Sequence, residues 1–549
     1  MKLYPYLLAS LCGLSFTCIE AIHTGPESRF ESVEEEMDFF EELIAIDDDP
    51  FTNAFFLQQS HPTRVCPAET TFLELLVNTV GLPELLKQNL FCHTNTINVR
   101  PLLDLPSLQP LFDCHSTWLS FSVQAFFNQM RKCYFTKKSS ALGSYIRTDR
   151  DLLETLDTTL FEGDAEFDIP AILGPFSPIK LEERRLGFLL SAYTRYHCWG
   201  ITFKLPLYWL EHNFFLTEEE QEAIGAIDVF NGAAVGSDRD DYEAFFIKHL
   251  VTTKIGVGDF RINADYFLID ECAKNWRVGF QFTAPTGKPI CSCGLEEALS
   301  EVLLFGGTFC KYAPQPPIDS YGIFCRAFDG TTLNKEIAAA ELFDIGLGFL
   351  DRLTTILADQ PMGQRHISFG PTLNARFPIN DCLNMEVFAE FDYWVPRQET
   401  RFFLVAKDPS IFNRNWNFTD PDLAARDVQF LDNQMQNFLF PVPLYINVKP
   451  GIVTKFALGF AYDSYHVHAA VGYDFWHQGQ EHLTGCFPRY DIARGIKPSA
   501  YQSKLYARVF GHRHCQEYLF RLGLRGDITV DSFGIGKDMT ITADLVFDF

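Results

Sequence analysis

The chain has 549 residues, a formal net charge of −26 and an aromatic content of 15%, including 54 phenylalanines. So acidic a chain is repelled by phosphate groups, and the charge therefore argues against nucleic acid as a partner. The length allows about two to four ordinary domains, or one large barrel with long loops.

The first residues have the pattern of a secretory signal. Lys2 precedes an apolar run over 3–17, and a small residue follows at Ala21. This run is shorter than the roughly 20 residues that a membrane-spanning helix needs. We therefore predict a signal peptide over 1–21. No later segment is uncharged and apolar over about 18 residues, so we expect the mature chain to be secreted or to enter a membrane as strands.

Residues 22–116 differ in composition from the rest of the chain. The stretch 31–49 is acidic and contains no Lys or Arg, and 69–90 has the pattern of short helices. Such an acidic run indicates a solvated surface, with divalent-cation binding as the alternative. We expect 22–116 to be either a periplasmic domain or a plug inside a barrel.

From residue 117 onward, segments with alternating apolar and polar residues recur, as expected for strands with one apolar and one polar face. Each is about the 9–11 residues that cross a bilayer at a tilt, or slightly longer. The predicted strands are 117–129, 186–197, 200–210, 254–267, 275–285, 366–380, 383–396, 453–462, 465–477, 501–511, 515–528 and 537–549.

Long and short connections alternate between these strands. Short turns are predicted near 198–199, 268–274, 381–382, 463–464 and 512–514, and long loops include 211–253, 286–365 and 397–452. An even strand count with short periplasmic turns and long outer loops is typical of bacterial membrane barrels, and the aromatic content suits their lipid-facing belts. The sequence thus predicts an all-β fold, a transmembrane antiparallel barrel of twelve strands (fourteen as the alternative) over 117–549.

The final strand carries the most specific pattern. Met539, Ile541, Ala543 and Leu545 share one face with Phe547 and Phe549. This resembles the closing strand of Gram-negative outer-membrane β-barrels, which the insertion machinery reads. The resemblance implies an outer-membrane location, a lipid bilayer and the assembly machinery as partners, and Phe547 and Phe549 as the assembly signal.

The third long loop contains a second element. Over 333–358, apolar residues recur at helical spacing, although Gly346 and Gly348 weaken the pattern. We predict an amphipathic helix that packs against the rim of the barrel or folds into its lumen.

The polar face of the strands defines the candidate site. The predicted lumen-lining residues are Arg277, Glu386, Glu390, Asp392, Lys455, His466, His468, Asp474, Lys504, Arg508, Arg521 and Arg525. They could orient dipolar solutes in a transverse field. Alternatively, they pair across neighbouring strands, with Asp538, Asp544 and Asp548 as partners for Arg521 and Arg525.

Metal and disulfide chemistry are less specific. His466 and His468 lie two residues apart and could hold a transition metal, but polar lining is the simpler interpretation, and we predict no metal site. The 15 cysteines leave disulfide pairing open.

Enzyme motifs are absent from the sequence: there is no Gly-x-Ser-x-Gly, no His-Glu-x-x-His and no phosphate-binding loop. We expect no enzymatic activity and no cofactor. The favoured function is passive passage of small solutes through a narrow, partly obstructed channel. The alternatives are a surface-exposed adhesin or structural barrel with a closed lumen, a barrel-borne hydrolase, and a soluble secreted protein.

Overall fold

The computed structural model describes Phe91, Thr94 and residues 98–108, 119–131, 180–215, 251–287, 362–405 and 440–549 with short gaps, together with isolated positions between them. Met1–Thr63 forms a separate unit that lies outside the described residues. The predicted signal peptide also lies there. The predicted helix over 333–358 falls outside the described residues apart from Leu333, in a short strand, and Ile356, at a buried helical position.

Nineteen strands are present in the described residues. They are β1 (Leu119–Arg131), β2 (Lys180–Tyr196), β3 (Trp199–Phe215), β4 (Val251–Val257), β5 (Phe260–Asp270), β6 (Asn275–Ala284), β7 (Phe328–Asp329), β8 (Thr332–Leu333), β9 (Ser368–Pro378), β10 (Leu383–Trp394), β11 (Arg397–Val405), β12 (Val442–Lys449), β13 (Val453–Asp463), β14 (Val467–Gln478), β15 (His482–Thr484), β16 (Tyr490–Asp491), β17 (Ala500–Cys515), β18 (Tyr518–Phe533) and β19 (Lys537–Asp548).

Thirteen of these strands form one closed antiparallel sheet. Its order is β2-β1-β19-β18-β17-β14-β13-β10-β9-β6-β5-β3-β4, and pairing between β2 and β3 closes the ring. Strands β4 and β5 both pair with β3 and are the two halves of one wall strand, interrupted at Gly258 and Asp259. The barrel therefore has twelve wall strands, which confirms the predicted fold class and the count of twelve rather than fourteen.

The two ends of the barrel differ. The turn end contains the start of β1, the end of β19 and the connections at 197–198, 271–274, 379–382, 464–466 and 516–517. The loop end contains the connections at 132–179, 216–250, 285–367, 395–452, 479–499 and 534–536. The predicted alternation of short and long connections is present. The last loop-end connection is shorter than predicted, because β18 continues to Phe533 and Gly534 then turns the chain with a φ of +67°.

A second sheet stands on the loop end. Its order is β15-β12-β11-β16, and β11 and β12 are the extensions of β10 and β13 beyond the barrel wall. Phe403, Ile446 and Val448 form its small apolar core. Sequence periodicity treated the whole of 397–452 as a loop, and the structure corrects this.

The two faces of the barrel wall have opposite chemistry. On β18, Leu522 and Leu524 lie on the exposed outer face, whereas Arg521 and Arg525 are buried on the inner face. Apolar side chains form the exposed row on the other wall strands as well, for example Phe280 on β6 and Ile541 on β19. Among the described residues, no helix is both long and apolar enough to cross a membrane.

Small inward residues make room for one large side chain. Gly459 on β13 and Gly472 on β14 both lie against the ring of Tyr506, which comes from β17. A Cβ at position 472 would lie 2.4 Å from the Tyr506 ring and 2.6 Å from the Leu458 carbonyl oxygen. The space that the sequence leaves with small residues is therefore filled by an aromatic ring.

We expect Gly472→Ala to lower the free energy of unfolding by about 1–3 kcal/mol, because the new methyl group overpacks the lumen. Urea unfolding of the refolded barrel measures the change. Gly511→Ala is the matched control, since nothing lies within 4 Å of a Cβ there. Equal stability of the two variants would contradict this packing.

Candidate functional site

A segment that belongs to no wall strand lies inside the barrel. Residues 98–108, called here the lumen segment, form two 3-10 turns, Leu102–Asp104 and Pro106–Leu108. The amide groups of Asp104, Leu105 and Leu108 donate to the carbonyl groups of Pro101, Leu102 and Leu105 at 2.9, 3.2 and 3.0 Å. Pro101 and Pro106 favour such tight turns because their rings fix φ. The lumen segment comes from the region predicted as a periplasmic domain or a plug.

One side of the lumen segment is apolar. Its four leucines pack against inward-facing apolar residues of β1, β2 and β3 and against Met362 from the long loop 285–367. The members of this cluster are Leu102, Leu103, Leu105, Leu108, Phe126, Leu189, Tyr208, Leu210 and Met362. Burying a leucine stabilises by roughly 1.5–3 kcal/mol, so this contact is a substantial part of what holds the segment in place.

The other side of the lumen segment carries a buried carboxylate. Asp104 Oδ1 lies 2.9 Å from Lys455 Nζ and 2.8 Å from a guanidinium nitrogen of Arg261. Trp476 Nε1 donates to the second carboxylate oxygen at 3.2 Å. Lys455 also contacts Glu390 at 2.6 Å. One side chain of the lumen segment thus bridges two distant wall strands, β5 and β13.

Arg100 makes the second charged attachment. Its guanidinium lies 2.5 Å from Asp474 on β14 and donates to the Asp104 carbonyl group at 2.6 Å. The Arg100 carbonyl group in turn accepts from Arg185 on β2 at 3.1 Å. Because Arg100 is buried, the missing hydration is replaced by these contacts.

A third group of charges lies on β17, β18 and β19. Lys504 Nζ is 2.7 Å from Asp527 and 2.6 Å from Asp538. The backbone amide of Ser107 donates to Asp527 at 3.1 Å, which connects this group to the lumen segment.

Two further pairs join the neighbouring strands β18 and β19, and a third joins β17 to β10, which are not adjacent in the sheet. Arg521 contacts Asp548 at 2.7 Å, Arg525 contacts Asp544, and Arg508 contacts Glu386. Pairing of the lumen charges between strands therefore describes this interior better than a basic wall that faces an acidic wall. The sequence predicts Asp538 as a partner of Arg521 or Arg525. In the structure, Asp538 contacts Lys504 instead.

The structure places most predicted lumen residues in the interior. Those that are buried there are Glu386, Glu390, Asp392, Lys455, Asp474, Lys504, Arg508, Arg521 and Arg525. Arg277 is half-buried near the turn end, where its guanidinium lies 4.6 Å from the centre of the Phe267 ring.

The two histidines do not share an environment. His466 is exposed and precedes β14, whereas His468 is half-buried and its Nδ1 lies 2.6 Å from Asp463. The contact with Asp463 gives His468 a structural role.

Phe547 and Phe549, which the sequence predicts as an assembly signal, lie at the turn end. Phe547 makes an edge contact with Phe520, and Phe549 makes one with Phe121. The Phe549 amide donates to the Leu119 carbonyl group at 2.9 Å, which continues the seam between β19 and β1.

Sequence reasoning did not identify Arg100, Asp104 and Arg261 as site residues. Arg261 shares the inward face of β5 with Asp265, which could have marked it. Arg100 and Asp104 lie in a leucine- and proline-rich stretch without period, so no pattern there indicated that they would meet the wall charges.

A cavity of about 80 Å³ lies between the lumen segment and the loop end. Its lining includes Arg100, Asp259, Trp394, Arg401 and Lys497. A water molecule needs roughly 10–15 Å³ of such space, so the cavity holds a handful of waters or a small polar solute.

Charged side chains at the loop end line this cavity. Arg401 lies 3.0 Å from Glu399 and 3.1 Å from Glu481, and His366 Nε2 lies 2.7 Å from Glu399. Burial would raise the pKa of Glu399, but Arg401 and His366 outweigh it and lower that pKa to about 2. Burial lowers the pKa of Lys497 to about 8, and the Arg401 charge acts in the same direction.

The interrupted wall strand holds the ends of the long loop. The Asp259 carboxylate accepts hydrogen bonds from the amides of Gly287 at 3.3 Å and Gln364 at 2.5 Å. Both residues belong to the connection 285–367 between β6 and β9. The break between β4 and β5 therefore serves to anchor this loop at the cavity.

Three carboxylates lie close enough together to chelate a cation. Oxygens of Asp104, Glu390 and Asp392 all lie within 4.8 Å of one another. Lys455 and Arg261 already neutralise Asp104 and Glu390, however, so the group is explained without a metal ion.

No protein-family model and no curated protein matches the chain. Among solved structures, an outer-membrane channel from Pseudomonas putida F1 is 9% identical with a TM-score of 0.36, over 80% of this chain and 100% of that one. The translocator domain of the autotransporter NalP from Neisseria meningitidis is 7% identical with a TM-score of 0.31, over 80% and 90%. The Pseudomonas putida toluene transporter TodX is 7% identical with a TM-score of 0.27, over 84% and 96%. At these values the similarities carry no argument about function.

We expect Asp104→Asn to lower the free energy of unfolding by about 3–5 kcal/mol, because Lys455 and Arg261 lose their shared buried counter-charge. Urea unfolding of the refolded protein measures it. Asp491→Asn is the control: it removes an ion pair with Arg494 at 3.0 Å that is about one-third exposed, and exposed pairs contribute about 0–1 kcal/mol. Similar small losses in both variants would show that the Asp104 contacts do not form.

Proposed function

We propose that the protein is an outer-membrane barrel that passes small solutes through a narrow lumen obstructed by the lumen segment. The observation that carries this proposal is a closed wall with an apolar outer face and a charged inner face around a segment that is not part of the wall. An apolar outer surface is what a bilayer requires, and a polar interior is what a solute pathway requires.

The same wall supports the proposed location. An apolar belt that encircles a closed barrel would expose far more apolar surface than a soluble protein tolerates, and lipid would cover it. The longer connections gather at one end, which in bacterial barrels faces outward. We propose a signal peptide over 1–21 for export and Phe547 and Phe549 as contacts for the assembly machinery.

The proposed transport needs no chemical step. The inward charges bind one another and the lumen segment, and the proposal assigns no catalytic role to any of them. Passage of a solute requires the lumen segment to shift, or the solute to follow the charged side of the lumen, where polar groups can replace its hydration.

A barrel with a permanently closed lumen is the second candidate. The observation that favours it is the double attachment of the lumen segment, by the leucine cluster on one side and by Arg100 and Asp104 on the other. In that case the loops and the second sheet at the loop end would carry the function.

If the barrel lies in a membrane, a charged side chain on its outer face lowers the stability of the protein, most strongly near the middle of the bilayer. We expect Leu524→Arg to lower stability in lipid vesicles by about 2–4 kcal/mol, because lipid would surround the guanidinium. Tyr445→Arg, in the second sheet beyond the barrel wall, is the control. Tyr445 is 64% exposed and Leu524 is 65% exposed, so the two positions differ in location and not in exposure. Two negligible effects in urea titrations would favour a soluble protein.

The channel proposal is tested by conductance. In planar bilayers we expect the intact protein to conduct weakly, and a variant with residues 98–108 replaced by a Gly-Ser linker of equal length to conduct strongly. The same replacement within 216–250 controls for loss of sequence alone. A heat-modifiability gel shows that each variant is folded. If the folded linker variant is as silent as the intact protein, the closed-lumen function replaces the channel.

A further inference from the structure

The direction in which the chain runs through the lumen can be traced from contacts at successive depths. The turn end contains the start of β1 at Leu119 and the end of β19, which pairs with it through Ser120 and Asp548. Every contact of residues 91–108 can therefore be placed by its distance along a wall strand from that end.

The chain is held at the loop end before it enters the lumen. The Thr94 amide donates to the Arg494 carbonyl group at 3.2 Å, and the Arg494 guanidinium donates to the Phe91 carbonyl group at 2.9 Å. Arg494 lies in the 3-10 turn Ile492–Gly495, within the loop-end connection between β14 and β17.

Contacts with β17, β5 and β3 lie at increasing distances from the loop end, although the long Arg100 side chain also reaches Asp474 on β14. Arg100 donates to Gln502 at 3.4 Å, and Gln502 is near the loop end of β17. Asp104 contacts Arg261 about halfway along the wall strand formed by β4 and β5. The Leu108 carbonyl group accepts from Lys204 at 3.5 Å, and Lys204 lies in the half of β3 nearer the turn end.

We infer that the chain is threaded through its own barrel, entering at the loop end near Phe91 and leaving at the turn end to begin β1. We therefore expect the chain that precedes Phe91 to be accessible from the loop side. This inference rests on the proposed function for its absolute direction: in an outer membrane with the long loops outside, that side is the cell surface. With the threaded path, the residues of 22–116 that precede the lumen segment are not expected in the periplasm.

Threading has a physical consequence for assembly. The lumen segment is packed on one side by leucines and on the other by ion pairs to β5, β13 and β14. Because these contacts lie on both sides of the segment, we expect the wall strands to close around it during assembly. The barrel then presents the preceding chain at the loop end without a separate export step.

Three epitope-tagged chains test the inference. One tag follows Arg64, one lies within the loop 216–250, and one lies in the turn between Glu271 and Lys274. Each chain is expressed in a Gram-negative host, checked for folding by heat modifiability, and labelled with antibody before and after permeabilisation of the outer membrane. We expect the first two tags to be labelled equally before and after, and the turn tag only after permeabilisation.

The outcomes separate the inference from the proposed function. If the loop tag is labelled on intact cells but the tag after Arg64 behaves like the turn tag, the threading is wrong and the proposed location stands. If the tag after Arg64 and the loop tag are both hidden until permeabilisation while the turn tag is accessible, the threading holds and the proposed orientation fails. Loss of the tag after Arg64, but not of the barrel, on treating intact cells with protease would support the threading independently.

Discussion

The interior of this barrel is governed by the requirement that a buried charge be paired. An unpaired carboxylate or guanidinium inside the lumen would cost several kcal/mol, so each inward charge needs a partner at short range. On β18 and β19 the partners are neighbours across the sheet, as for Arg521 and Asp548. Around β5 and β13 the wall cations Arg261 and Lys455 share Asp104, which no wall strand supplies. The lumen segment thus supplies a negative charge that these two wall cations share.

The same segment also solves a packing problem. The inner faces of β1, β2 and β3 carry apolar side chains such as Phe126 and Leu189, which would be unfavourable against water. The leucines of the lumen segment cover them. The lumen segment contacts an apolar side of the lumen with its leucines and a charged side with Arg100 and Asp104. These two sets of contacts together favour one position and one rotation of the segment.

The wall was predictable from sequence and its contents were not. Apolar and polar residues alternate along the wall strands because the two faces of the wall meet different environments. This period of two can be recognised in the sequence without knowing which strands are paired. Pairs such as Arg525 with Asp544 follow once adjacent strands are aligned. Arg100 and Asp104 have no such period, and their partners Asp474 and Lys455 are set by barrel closure across hundreds of residues. Strands β11 and β12 were missed because they lie beyond the wall, where burial no longer imposes one alternation.

Hydrogen exchange of the peptide covering 98–108 in the folded, lipid-embedded protein tests the central claim most directly. The amides of Asp104, Leu105 and Leu108 donate within the segment, and that of Ser107 donates to Asp527. If the segment is packed in the lumen, these amides exchange as slowly as those of the neighbouring wall strands. Complete exchange at the first time point, with the wall strands still protected, would contradict the account.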